Sequence, residues 1–211
     1  MRTEKKTASN SAIILAGGRS SRMGRPKAIL PFNGATIIEC IVAELRPVFS
    51  EIIVLTTPAA DDQFKIDLKD VTIIHDELAF AGPVRALSQG LLTIRKEYAF
   101  VCSCDVPLIR AEVALGLCAM LGEYDAVIPI IGGRLQMMHA VYHRRCAAVL
   151  GAMEQRGERR LTELTGQIAS RIVSEDGLKR FDATLKSFFN VNTPEDYLHA
   201  LKLAGSRKSK D

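Results

Sequence analysis

The sequence contains no tryptophan, and aromatic residues make up only 6% of its 211 positions. Hydrophobic residues account for 47% of the chain, so the core of the folded protein must be built mainly from aliphatic side chains. Long hydrophobic runs are also lacking: the run after the N-terminal segment, Ala12–Ala16, spans five residues. A secretory signal needs about 7–15 apolar residues and a membrane span about 20. We therefore expect neither a secretory signal nor a membrane partner.

A strong charge of either sign is absent as well. The 28 Lys and Arg residues against 24 Asp and Glu give a net charge of +4, which is too small to predict a nucleic-acid-binding surface but suits an anionic substrate. The five cysteines are an odd number and show no paired spacing. Reduced thiols and a cytoplasmic location are therefore expected.

Both ends of the chain are charged and rich in small residues, which predicts flexible tails over residues 1–10 and 205–211 and one domain over residues 11–204. Within that domain, short apolar runs alternate with segments of helical periodicity. This pattern predicts a single-domain, Rossmann-like α/β fold, with a mostly parallel central sheet covered by helices on both faces. The predicted strands are Ser11–Ala16, Glu51–Thr56, Val71–His75, Tyr98–Ser103, Asp125–Pro129 and Met138–Tyr142.

The first predicted strand runs directly into a loop of glycines, serines and basic residues, which reads GGRSSRMGRPK over residues 17–27. Paired glycines allow backbone N–H groups to approach an anion closely. In parallel sheets, ligands bind beyond the carboxyl ends of the strands, where this loop begins. The loop therefore favours a nucleoside triphosphate, although it has neither the dehydrogenase fingerprint nor the Walker motif.

The segment Leu15–Gly24, followed by Lys27, resembles the signature of nucleotidyltransferases that activate cofactor and sugar phosphates. Within that superfamily the chain is most similar to the molybdenum cofactor guanylyltransferases, which attach GMP to molybdopterin. The resemblance implies the nucleotidyltransferase fold and Mg²⁺-dependent transfer of GMP from GTP to the terminal phosphate of Mo-molybdopterin. It covers residues 11 to about 201, and its further matching segments are His75–Leu78, Gly82-Pro83, Cys102–Pro107, Gly157–Arg160 and Phe189–Asp196.

The implied reaction does not require a catalytic base, because a phosphate monoester is already ionised near pH 7. Its barrier is lowered by cations, backbone amides and a metal ion that oppose charge repulsion. The resemblance implies that Lys27, Asp105 and Arg22 are the residues that lower this barrier. Lys27 is expected to contact the phosphates and Asp105 to bind Mg²⁺, while Arg22 serves either the molybdopterin phosphate or the pyrophosphate.

Further binding residues follow from the same resemblance. Main-chain atoms of Leu15, Ala16 and Gly17 are expected to contact the nucleotide base. The sequence Leu-Ala-Gly-Gly, which ends at Gly18, is typical of relatives that use GTP, whereas relatives that use CTP tend to have Leu-Ala-Ala-Gly. Asparagine side chains match the amide-like edge of a pterin. The remaining candidates are Asp76 for the nucleotide, Gly82 for the nucleotide or the pterin, and Asn190, Asn192, Arg159 and Arg160 for the pterin.

Two other functions stay open: a transferase that pairs CTP with molybdopterin or another nucleotide with a sugar or lactyl phosphate, and a non-catalytic nucleotide-binding adaptor. A molybdoenzyme or cofactor-insertion protein is a further expected partner. One departure from the family lies at the end of the second strand, where Leu55 stands in place of an asparagine that contacts the nucleotide. Either Thr56 or Thr57 makes that contact instead, or the contact is lost. His139 and His143 are interpreted as structural, because the expected change from strand to helix separates them from nearby Cys146.

Overall fold

A mixed eight-stranded sheet forms the centre of the protein. The computed structural model describes residues 8–17, 26–56, 68, 70–75 and 82–205. The strands are β1 (Ala8–Leu15), β2 (Pro31–Phe32), β3 (Ala35–Thr36), β4 (Phe49–Thr56), β5 (Thr72–His75), β6 (Tyr98–Ser103), β7 (Ala126–Ile131), β8 (Arg134–Leu135), β9 (His139–His143) and β10 (Ser170–Val173). The helices are α1 (Ile37–Leu45), α2 (Pro83–Thr93), α3 (Ala111–Ala119), α4 (Cys146–Gln155), α5 (Glu175–Lys179) and α6 (Pro194–Gly205).

The strand order in the large sheet is β10-β7-β9-β6-β1-β4-β5, with β8 paired to β7, while β2 and β3 form a separate hairpin. Strand β1 lies parallel to β4 and β6, β4 lies parallel to β5, and β7 lies parallel to β10. Strand β9 is antiparallel to both of its neighbours. The connection from β7 to β9 is shorter than the dozen or so residues that a parallel crossover needs, so β9 must run in the opposite direction.

Both faces of the sheet are buried, and β1 shows this directly. Ala12 and Ile14 pack into one hydrophobic cluster with residues of α1, α3 and α6. Ile13 and Leu15 pack into a second cluster with residues of α2 and α4. Because side chains alternate along a strand, continuous apolar sequence in β1 requires helices on both faces. The predicted α/β architecture with a mostly parallel, doubly covered sheet is confirmed.

The described chain corrects the predicted boundary of the N-terminal tail. Ala8–Asn10 belong to β1. Strand β4 begins at Phe49 and not at the predicted Glu51, and Ala8 pairs with Phe49 at the start of both strands. At the other end, Gly205 is the last residue of α6. The rest of both predicted tails, residues 1–7 and 206–211, lies outside the described residues. None of the described helices is long and apolar enough to cross a bilayer.

Candidate active site

The end of β1 is fixed by its two neighbouring strands. The backbone N–H of Ala16 donates to the carbonyl of Leu55 at 2.7 Å, and the N–H of Cys104 donates to the carbonyl of Leu15 at 3.0 Å. Leu15 and Ala16 are buried, whereas Gly17 is exposed. Of the three residues predicted to contact the base, Gly17 is therefore the exposed one.

Asp105 lies just beyond β6, at the same edge of the sheet. Its side chain is 23% exposed, and one carboxylate oxygen accepts a hydrogen bond from the hydroxyl of Ser103. The backbone carbonyl of Asp105 accepts a hydrogen bond of 2.7 Å from the N–H of Val191. Ser103 was not among the predicted site residues, although its place two positions before Asp105 is visible in the Cys-Ser-Cys-Asp segment. The backbone of Asp105 is thus bound to the segment that precedes α6, while the Asp105 carboxylate is partly exposed to solvent.

Lys27, from the N-terminal part of the chain, lies next to Asp105 and Asn192. It begins a 3₁₀ turn, Lys27–Ile29, and its Nζ donates to Oδ1 of Asn192 at 2.9 Å. The same Nζ lies 3.6 Å from Oδ2 of Asp105, and the Lys27 side chain is 17% exposed. Three of the predicted site residues are therefore in direct contact, although they come from the loop after β1, the end of β6 and the start of α6.

The segment before α6 presents its two asparagines to the site. Val191 is buried between them, so the side chains of Asn190 and Asn192 are directed away from the core. The carboxylate of Asp196 accepts hydrogen bonds of 2.9 Å from the backbone N–H groups of Asn192 and Thr193, and these bonds lower the pKa of Asp196. The hydroxyl of Thr193 accepts a hydrogen bond of 3.1 Å from the N–H of Asp196 and so caps the N-terminus of α6.

A cavity of about 240 Å³ is lined by Ser103 and Val106, which stand two residues before and one residue after Asp105 in the sequence. Asn190 and Ser103 line one part of its wall, and His139 and Phe188 line another. Asn190 also donates from Nδ2 to the carbonyl of Phe188 at 3.2 Å. The two predicted pterin asparagines therefore have different surroundings, since Asn190 faces the cavity and Asn192 holds Lys27.

Gly82 and Pro83 mark the start of α2. Gly82 has φ of +97° and immediately precedes the helix, with Pro83 in its first position. Only glycine adopts this backbone conformation without strain. Arg85, in the first turn of α2, forms an ion pair of 2.7 Å with Glu154 that links α2 to α4.

Arg159 and Arg160 are exposed and lie between α4 and the 3₁₀ segment Leu161–Gly166. The hydrogen bonds and ion pairs described for Asp105, Asn190 and Asn192 join those residues to other partners and not to these two arginines. Their assignment to the pterin therefore stays a prediction. Three further predicted site residues, Gly18, Arg22 and Asp76, lie outside the described residues, and so does Thr57.

The end of β4 shows what stands in place of the family's asparagine. The Leu55 side chain is 2% exposed and packs into the core, so it does not reach a ligand. Thr56 is the last residue of β4 and is also buried. Its hydroxyl has no hydrogen-bond partner within the part of the chain that the structure describes. Thr56 is therefore the polar group available at this strand end.

The residues at the site fit a magnesium ion that the substrate helps to hold. Across residues 8–17, 26–56, 68, 70–75 and 82–205, no group of three or more His, Cys, Asp or Glu side chains could enclose a metal. Magnesium is commonly bound by one or two carboxylates together with waters and substrate phosphates. Asp105, partly exposed and next to Lys27, provides a suitable hard oxygen ligand.

The cysteines beside Asp105 are structural. Cys102 and Cys104 are buried free thiols, and burial raises the pKa of Cys104 to about 12. A thiol is a poor nucleophile and metal ligand when it stays protonated. The remaining three cysteines are free thiols as well, in agreement with the expectation of reduced cysteines.

Comparison with known proteins identifies the family. Residues 12–171 match the family described as the MobA-like NTP transferase domain. The chain belongs to this family. Two relatives carry the name "Probable molybdenum cofactor guanylyltransferase": one from Natranaerobius thermophilus is 29% identical over 199 residues, and one from Bacillus mycoides is 32% identical over 195 residues. The matches cover 92% and 91% of this chain, respectively, and 96% of each relative.

The MobA-like fold is also found in a crystal structure from Archaeoglobus fulgidus, described as molybdopterin-guanine dinucleotide biosynthesis protein A. That structure superposes with a TM-score of 0.81 at 23% identity, covering 93% of this chain and 99% of the other. The predicted nucleotidyltransferase fold and family are therefore confirmed. The chain is a MobA-like nucleotidyltransferase, an enzyme of molybdenum cofactor biosynthesis.

Proposed function

We propose that this MobA-like enzyme transfers GMP from GTP to the terminal phosphate of Mo-molybdopterin, releasing pyrophosphate. The observation that carries the proposal is the contact among Lys27, Asp105 and Asn192 at the carboxyl edge of the sheet. The names of the two relatives, which specify a guanylyltransferase, support the same reaction.

The chemistry matches this set of side chains. An oxygen of the acceptor phosphate forms a bond to the α-phosphorus of GTP, and the bond from that phosphorus to the pyrophosphate oxygen breaks. Both partners are anionic, so the barrier comes largely from charge repulsion and from negative charge on the leaving group. The Lys27 ammonium, held by Asn192 at 2.9 Å, supplies a fixed positive charge against the phosphates.

Asp105 is the residue that would hold Mg²⁺, and Ser103 orients its carboxylate through a hydrogen bond. When bound, Mg²⁺ supplies positive charge to the triphosphate and its leaving group. Lys27 Nζ lies 3.6 Å from Asp105 Oδ2, so the positive charge of the lysine offsets the negative charge of the aspartate. Lys27 and Asp105 thus have separate roles, the first as a direct phosphate contact and the second as a metal ligand.

Substrate contacts divide between the two sides of this cluster. On the nucleotide side we place Gly17 and the buried hydroxyl of Thr56, with Gly18, Arg22, Asp76 and Gly82 as further candidates. On the acceptor side we place Asn190 in the cavity wall and Asn192 beside Lys27, with Arg159 and Arg160 as further candidates. Leu15 and Ala16 support Gly17 from the end of β1.

Product identification tests this function. The protein is incubated with Mg²⁺, molybdopterin and one nucleoside triphosphate at a time, and the pterin products are analysed by mass spectrometry. The proposal expects a product heavier by one GMP unit with GTP alone. A product formed only with CTP would overturn the guanine assignment. Nucleotide binding without any pterin product, from folded protein beside an active control transferase, would favour the adaptor function.

A further inference from the structure

His139 is a buried polar residue whose hydrogen-bonding groups are unused. It is the first residue of β9, and its side chain is 2% exposed. Its ring centroid lies 5.3 Å from that of Phe100 and 4.4 Å from that of Phe188. Neither ring nitrogen has a hydrogen-bond partner within the part of the chain that the structure describes. Interpreting His139 as structural explains its burial but not these two unpartnered nitrogens.

The imidazole is neutral in this position. Burial lowers the pKa of His139 to about 3, and the nearby charge of Asp182 offsets only part of that effect. A neutral imidazole has one N–H donor and one nitrogen acceptor. Both are polar groups whose burial destabilises the folded protein when they lack partners. A hydrophobic aromatic residue would fill the same space between Phe100 and Phe188 without that disadvantage.

His139 lines the same cavity of about 240 Å³ as Ser103 and Asn190. This volume is below the ~300–1,000 Å³ typical of sites that enclose a whole drug-sized ligand, so the cavity suits one ring system. Val106, Met137 and Met138 give the wall an apolar part, which favours the face of a flat ring. Asn190 adds an amide group to the cavity wall.

We propose that His139 is a specificity-determining residue of the acceptor site, where it exchanges hydrogen bonds with the polar edge of a flat heterocycle. This inference rests on the proposed function, and the heterocycle is then the pterin of the acceptor. A pterin presents amide-like donors and acceptors at one edge of a planar ring, which matches a neutral imidazole and the amide of Asn190. A sugar phosphate offers no flat ring for the apolar wall.

Phe188 packs against the imidazole at the cavity wall. Its ring is tilted against that of His139 and lines the same cavity, and it ends a short 3₁₀ segment, Lys186–Phe188. Phe188 and Phe100 therefore hold the imidazole between two aromatic rings at the cavity wall, where the heterocycle would meet it.

The direct test is nitrogen NMR of the wild-type protein with ¹⁵N-labelled histidine, titrated with 6-hydroxymethylpterin in the absence of nucleotide. The His139 resonances, assigned by their loss in His139→Phe, are expected to shift as the pterin saturates the protein. Binding that leaves these resonances unchanged would overturn the proposal, and so would an absence of pterin binding.

Kinetic variants provide the second test. His139→Phe keeps an aromatic ring and removes both nitrogens, so we expect KM for the acceptor to rise about 10-fold, the effect of one lost hydrogen bond, with KM for GTP unchanged. His139→Gln, which retains a donor and an acceptor, is expected to restore much of that loss. The matched control is His143→Phe at the other end of β9, where no change in acceptor KM is expected.

Two outcomes separate this inference from the proposed function. Equal acceptor KM values for the wild type and a folded His139→Phe variant would overturn the role of His139 and leave GMP transfer intact. Conversely, wild-type protein that shifts its His139 resonances with pterin but forms no product with GTP would retain the inference and reject the transfer. If His139→Phe does not fold, the wild-type titration with His139→Gln for assignment decides the question.

Discussion

At the scale of single residues, the two groups at the centre of the site were predictable and their partners were less so. Lys27 and Asp105 stand in the segments that carry the family resemblance, and the resemblance assigns both to the site. Asn192, which holds Lys27 at 2.9 Å, was predicted for the pterin and not for this contact. His139 could not be recognised, because an unpartnered nitrogen is a property of the three-dimensional surroundings and not of spacing.

Replacing Lys27 removes the fixed positive charge from the site. We expect Lys27→Ala to lower kcat/KM for GTP by about 10²–10³-fold, the scale of losing one well-placed electrostatic contact to the reacting phosphates. Steady-state kinetics of pyrophosphate release measures this effect.

The control for Lys27 is Lys179→Ala, which removes a lysine paired with Asp176 on the surface of α5. Its kinetics should match those of the wild type. Unchanged kinetics in Lys27→Ala would remove this lysine from the site.

At the scale of elements, the turn before α6 is built around one buried carboxylate. Asp182 is 3% exposed and accepts hydrogen bonds from the N–H and hydroxyl of Thr184 and from the N–H and hydroxyl of Ser187. This network fixes the residues that lead to Phe188 and Asn190. The sequence of this segment has no periodicity, so the turn could not be predicted, whereas the capped helix α6 after it could.

Asp182→Asn is expected to destabilise the protein by about 1–3 kcal/mol at pH 7, because the new amide nitrogen faces either Thr184 or Ser187 and cannot accept the hydrogen bonds from that residue. Burial opposes ionisation of Asp182, but the hydrogen bonds from Ser187 and Thr184 outweigh it and lower the pKa. A lowered pKa in the folded state stabilises the protein above the unfolded-state value of about 3.9. The difference between wild type and variant should therefore be complete at neutral pH and shrink as the pH falls through the folded-state pKa.

Urea unfolding at pH 7 and at intervals down to pH 3 measures this difference in free energy of unfolding. Asp176→Asn, which changes an exposed aspartate on α5, serves as control and should stay within about 0.5 kcal/mol of the wild type. A constant difference across that pH range would show that the charge of Asp182 does not stabilise the turn.

At the scale of the whole molecule, the site is closed by the two ends of the fold. Lys27 follows β1, Asn192 precedes α6, and Asp105 lies between them at the end of β6. The parallel architecture was predictable because apolar strands alternate with helices along the chain. Strand β9 was predicted as Met138–Tyr142, but its antiparallel direction was not, because that direction depends on a short connection. The edge strand β10 was not predicted, because its side chains at Arg171 and Ile172 are exposed.

Because ligand contacts bridge distant parts of the chain, nucleotide binding should stabilise the whole domain. With Mg²⁺ and GTP at about 100 times Kd, the expected gain is about 2.7 kcal/mol. For a domain of this size, that corresponds to a rise in Tm of roughly 5–11 °C. Differential scanning fluorimetry with each nucleoside triphosphate measures the rise, and a larger shift with CTP than with GTP would contradict the proposed base preference.

The central claim is that nucleotidyl transfer takes place at Lys27 and Asp105 and depends on the acceptor. Its most direct test is the initial rate of pyrophosphate release from GTP and Mg²⁺ by the wild type and by Asp105→Asn, each with and without molybdopterin. We expect release by the wild type only when molybdopterin is present, and a loss of about 10²–10³-fold in the variant. Its Tm should be nearly unchanged, because this carboxylate lies at a strand end and is partly exposed. Release without the acceptor, or equal rates for a folded Asp105→Asn variant and the wild type, would contradict this claim.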